Sequence, residues 1–98
     1  MITLKDGTTI SDYHCQDCCE TVYADWDALE DTTFDPNEIT IETLEIDTNP
    51  DEGFRINGYF VPCYNIQNGY YASDLQLIIT KNGHDTLEIQ VNVKDEIY

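Results

Sequence analysis

Ninety-eight residues make one domain, too short to divide its core, and twenty Asp and Glu against four Lys and Arg leave it a formal net charge of −16. That charge excludes nucleic acid and anionic membrane as partners and favours basic protein, while 41% hydrophobic residues and seven tyrosines exclude a disordered chain. No stretch approaches the roughly 20 apolar residues of a membrane span, and Met1-Ile2-Thr3-Leu4-Lys5-Asp6 has no secretory pattern, so the expected location is the cytoplasm.

In chain order, Ile2, Leu4 and Ile10 around Asp6-Gly7 predict an opening hairpin, with a Gly7 bulge setting Ile2 opposite Ile10. Its second strand runs through Asp12 into Tyr13-His14-Cys15-Gln16-Asp17-Cys18-Cys19-Glu20. Between Glu20 and Phe34, Val22, Trp26 and Leu29 are spaced by four and three, behind the early acids Asp25 and Asp27. This predicts a helix of one to two turns with Trp26 as its core anchor. Residues 38–47 read as a strand with a bulge near Thr43, Asn49-Pro50-Asp51-Glu52-Gly53 as a turn, and 54–61 as one strand. In that last strand Phe54, Ile56 and Phe60 share a side, Gly58 marks a bulge or close approach, and Pro62 ends the pairing.

Asn68-Gly69 is a further turn, and residues 70–81 and 84–93 form the clearest hairpin. A bulged turn over residues 80–83 would set Leu77 against Leu87 and Leu75 against Ile89. The expected fold is α+β but mostly β: an antiparallel sheet of five or six strands, one short helix and a Cys/His metal knot.

The knot is the densest chemistry in the chain, with three of its four cysteines and one of its two histidines inside six residues. Cys15-x-x-Cys18 is a spacing at which one tight turn aims two sulfurs at a single ion, so His14, Cys15, Cys18 and Cys19 are candidate ligands of a structural zinc. Four ligands so close in sequence are sterically tight. Asp17, Cys63 or His84 could replace one of them. A catalytic thiolate needs positive surroundings, and Asp12, Asp17 and Glu20 supply the opposite, so no enzyme is expected.

His14-x-Gln16-Asp17-Cys18-Cys19-Glu20-x-Val22, the acidic stretch with Trp26 and Leu29, and Asn68-Gly69-Tyr70-Tyr71 together resemble a family of short, acidic phage and bacterial proteins of uncharacterised activity. The resemblance implies that Cys15 is the least fixed of the ligands and that His14, Cys18 and Cys19 are the core of the set. In size, acidity and phage character the chain also looks like an anti-CRISPR inhibitor, which implies a type II CRISPR effector nuclease as partner, inside the host cell. Such nucleases hold nucleic acid in positively charged channels. Between Asp12 and Glu52 there is no Lys or Arg. Carboxylates at i and i+2 of a strand stand about 6.7 Å apart, near the spacing of successive phosphates. Asp25, Asp27, Glu30, Asp31, Glu42, Glu45, Asp47, Asp51 and Glu52 are the candidates for such a phosphate-mimicking patch. The competing expectation is an adaptor zinc protein whose acidity serves solubility.

Overall fold

The computed structural model describes residues 1–14, 20–69, 75–81 and 84–97. The first sheet opens with β1 (Ile2–Thr3) and β2 (Thr9–Tyr13), joined by the expected tight turn. Gly7 takes φ +87°, which only glycine adopts without cost, and Asp6 Oδ1 accepts the Thr8 amide at 3.1 Å. Ile2 stands opposite Ile10, as the spacing predicts. β7 (Leu75–Lys81) then pairs with β2, and β8 (His84–Val91) with β7, giving the order β1-β2-β7-β8.

In the β7–β8 hairpin Leu75, Leu77 and Ile79 face Val91, Ile89 and Leu87. The expected faces are right and the expected register is two residues out. Alternation fixes which side chains share a face but not which ones meet. The irregularity lies inside the ladder, where Ile79 pairs with Leu87 and Thr80 with Asp85, leaving Thr86 as the extra residue.

The second sheet consists of β3 (Thr21–Ala24), β4 (Ile46–Asp47), β5 (Gly53–Ile56) and β6 (Tyr59–Gln67), in the order β3-β6-β5-β4. β9 (Lys94–Ile97) joins it, parallel to β6. Because β3 and β9 pair with the same residues of β6, they take its opposite edges. The single antiparallel sheet of the sequence reading is thus two sheets, one with a parallel pair.

Three local expectations are corrected. Residues 54–61 are a hairpin: Asn57 and Gly58 both have positive φ, 47° and 88°, the signature of a two-residue turn matched to strand twist. Phe60 therefore faces outward while Phe54 and Ile56 face the core. Pro62, within β6, sits opposite Gly53, where a Cβ would stand 2.3 Å from the Val61 carbonyl oxygen. The predicted helix is a strand followed by one 3₁₀ turn, Trp26–Leu29, with Val22 on the strand. Residues 38–45 are not strand either, because side chains claim the backbone groups that a ladder needs. Asp6 accepts the Ile41 amide (3.1 Å), Thr43 Oγ1 the Thr40 amide (2.9 Å) and Asn57 Oδ1 the Glu45 amide (2.8 Å).

Ile10, Leu75, Leu77 and Ile79 from the first sheet join Phe54, Ile56, Val61 and Cys63 from the second in one buried cluster. Trp26 packs edge-to-face with Phe54, ring centroids 5.5 Å apart, and sits against the core as its spacing suggests. Asp12 links the sheets: from β2 its carboxylate accepts the Ala24 amide and the Trp26 Nε1–H, each at 3.0 Å.

Candidate functional site

β6 presents its odd-numbered residues inward, and that row changes character along its length. Val61 and Cys63 are followed by Asn65 and Gln67, all buried. The polar end adjoins the base of the cysteine stretch. His14 directly follows β2, and Glu20 directly precedes β3, whose Thr21 pairs with Ile66 next to Gln67. His14 Nε2 lies 2.6 Å from Glu20 Oε1, with the two side chains only 6% and 1% exposed. Gln67 Nε2 donates to Asp95 Oδ1 at 3.1 Å.

This clasp ties together the two ends of the segment that carries Cys15, Cys18 and Cys19, the three cysteines themselves lying outside the described residues. Of the candidate ligands, His14 is in place. Its Nε2 is engaged by a carboxylate, the kind of partner that orients ligating histidines. Among the described residues no three His, Cys, Asp or Glu side chains are grouped to hold an ion. Cys63 is buried in the core, where burial and, secondarily, the Asp12 carboxylate push its thiol up to about 12. A metal recruiting it would have to displace that proton. Asp17 lies outside the described residues, as does the side chain of His84.

The candidate partner-binding acids divide by environment. Asp27, Glu30, Asp31, Glu42, Glu45, Asp51 and Glu52 are exposed. Asp25 and Asp47 are half-buried, and Asp47 accepts the Asn49 amide at 2.9 Å and faces Arg55 at 3.7 Å. With residues 41–43 in a turn, Glu42, Glu45 and Asp47 do not form the ladder of phosphate-like spacing that a continuous strand would give. Asp27 and Glu30 instead share a groove of about 450 Å³ with Ile2, Trp26, Leu29 and Phe34. Asp95 and Glu96 belong to β9.

The sequence reading missed Asp12, Glu20, Asn65 and Gln67 as members of a site. A signal for the last two was present: in a strand reading Val61-x-Cys63-x-Asn65-x-Gln67, polar residues continue an apolar row. Compared with protein-family models, curated protein sequences and solved structures, the chain matches none.

Proposed function

We propose that the acidic surface over residues 25–52 docks on a basic protein, and that this partner is the DNA-binding channel of a type II CRISPR effector nuclease. The chain then acts as an anti-CRISPR inhibitor that blocks loading of target DNA. The observation that carries this reading is the groove beside the Trp26–Leu29 turn, where carboxylates and apolar side chains line the same depression. A diffuse acidic surface attracts any cationic body, whereas an apolar floor beside acids adds the desolvated anchor that specific interfaces need. Binding to a positive channel must weaken as salt rises, because the Debye length falls from about 10 Å at 0.1 M to about 3 Å at 1 M.

The test is a gel-shift and cleavage assay with the protein added before or after target DNA. Inhibition only in the first order is expected. Glu30→Lys, Glu42→Lys and Glu45→Lys together should release it, whereas Glu88→Lys on the other sheet should not. Equal inhibition in both orders rules out competition for DNA loading, and no binding to any type II nuclease at low salt removes this partner.

The His14–Glu20 clasp favours a second reading, a structural or adaptor zinc protein. His14, Cys18 and Cys19 would hold the ion with Cys15, Asp17 or Cys63, and zinc would supply folding energy there. Elemental analysis of protein purified without added metal should find about one zinc per chain, and Glu20→Gln should lower its affinity about 10- to 100-fold. Metal-free protein excludes the site.

A further inference from the structure

The outward face of the second sheet is unlike the rest of the surface. Tyr23, Tyr64 and Lys94 form one cross-strand row on β3, β6 and β9, and Thr21, Ile66 and Glu96 form the next. The Tyr23 and Tyr64 rings lie 5.4 Å apart between centroids. Phe60 lies further along β6 beside Arg55, which in turn pairs with Asp47. Its ring covers Gly53, since a Cβ there would be 2.9 Å from it, yet Phe60 is still 42% exposed and Tyr23 37%. Outward aromatics at Tyr23, Tyr64 and, two rows away, Phe60 are the composition of an interface core rather than of a solvated sheet.

Charge narrows the occupant. The ionised side chains in the outward rows of these strands are Asp47, Arg55, Lys94 and Glu96, two of each sign, on a chain of net −16, while Asp95 pairs with inward Asn65 and accepts from Gln67. Half of the chain's four cations stand here. A strongly basic partner would gain nothing electrostatically from such a face. A copy of the chain would, because a two-fold arrangement can set the cations of one face against the acids of the other while sheet packs on sheet. Asp25 follows β3 at the edge of the face, close enough that its charge, after burial, helps push the Tyr23 phenol up.

We infer that this face is a self-association surface, on which a second copy of this chain packs through Tyr23, Phe60, Tyr64 and Ile66. The inference is independent of the nuclease reading and has the opposite salt dependence. Two chains of −16 each repel as wholes by more than the few cation–acid pairs across the face attract, so added salt relieves repulsion and strengthens the dimer.

Sedimentation velocity from about 5 µM to about 500 µM, at about 0.05 M and about 0.5 M NaCl, reads this directly. The mass should rise from the 11.3 kDa of one chain to twice that, at lower protein concentration in the higher salt. Phe60→Glu should weaken the dimer at least about tenfold. Lys94→Glu, which leaves the aromatic face intact, should weaken it as well and serves if Phe60→Glu does not fold. A single-chain mass under every condition overturns the inference, as does a dimer that salt dissociates or one that both variants leave unchanged.

Discussion

The carboxylates of the two regions that meet at Trp26 are used in opposite ways. Those around the β1–β2 hairpin and the start of β3 work as acceptors: Asp6 holds two backbone amides, Asp12 an amide and an indole, and Glu20 the His14 ring. Those from Asp27 to Glu52 mostly face water, with Asp35 and Asp47 as local turn acceptors. Composition treats the twenty acids as one population, but geometry separates a few that hold the fold from many that the fold merely carries. The first group should be sensitive to substitution at any ionic strength. The second should matter only when another charged body approaches.

The sharpest test of the first group is Asp12→Ala. It leaves the Trp26 indole and the Ala24 amide without their acceptor between the two sheets, and hydrogen bonds to a charged group are worth about 1.5–3 kcal/mol each. A loss of about 3–4 kcal/mol is expected in urea unfolding, against a total of about 5–15 kcal/mol for a domain this size. A variant as stable as the parent would break the comparison at its strongest point.

Glu20→Ala should come next, at about 2–4 kcal/mol, because it removes the carboxylate 2.6 Å from an imidazole that is itself buried. Glu20→Gln keeps an oxygen at the same place and should recover part of the loss. Equal losses for the two variants would mean that the side chain matters for its volume rather than as an acceptor.

Which acids fell in which group was only partly legible in the sequence. The Asp6-Gly7 hairpin was, because a turn requiring positive φ and the flanking apolar residues agree over a short span. So were the faces of the β7–β8 hairpin, since strict alternation of Leu87, Ile89 and Val91 leaves one choice. Asp12 was not: its acceptor role depends on β3 arriving from twelve residues downstream, and nothing local announces that. Residues 38–45 carry apolar residues suited to a strand, but Asp6, Thr43 and Asn57 bond the backbone there, and two of those three are distant in sequence. The turn at Asn57-Gly58 is an Asn-Gly pair, but Phe54, Ile56 and Phe60 keep one parity across it, so 54–61 also reads as one strand with a bulge at Gly58. β9 lacks an apolar pattern altogether; its four residues are exposed and are held by pairing with β6.

Asp6 allows the acceptor role to be titrated. The amides of Ile41 and then Thr8 hold its carboxyl at about 2, below the ordinary 3.8. A depressed folded-state value means stability that is fully present above about 4 and is lost as pH falls toward about 2. Thermal melts of Asp6→Ala should therefore lie below those of the parent at neutral pH and converge with them as pH drops through that window. Asp6 is a surface turn residue, so its effect should be smaller than those at Asp12 and Glu20. A constant gap down to pH 2 would show that the turn, not the charge, is what the substitution damages.

The smallest effect on stability is expected in the second group, and it bears most directly on the proposed function. Glu30→Lys, Glu42→Lys and Glu45→Lys each replace an exposed acid that makes no side-chain hydrogen bond among those found in the described residues. On a chain of −16, three such reversals bring the charge to −10, since each changes it by two. Self-repulsion falls, so the triple variant should melt no lower than the parent and, at low salt, slightly higher, the gap closing as salt screens both proteins. The same variant is the one expected to lose nuclease binding. If it melts well below the parent, these acids hold structure after all, and any loss of inhibition in it would report unfolding. If stability is kept while binding falls, the two uses of carboxylate in this fold are separate, and the exposed set is the functional one.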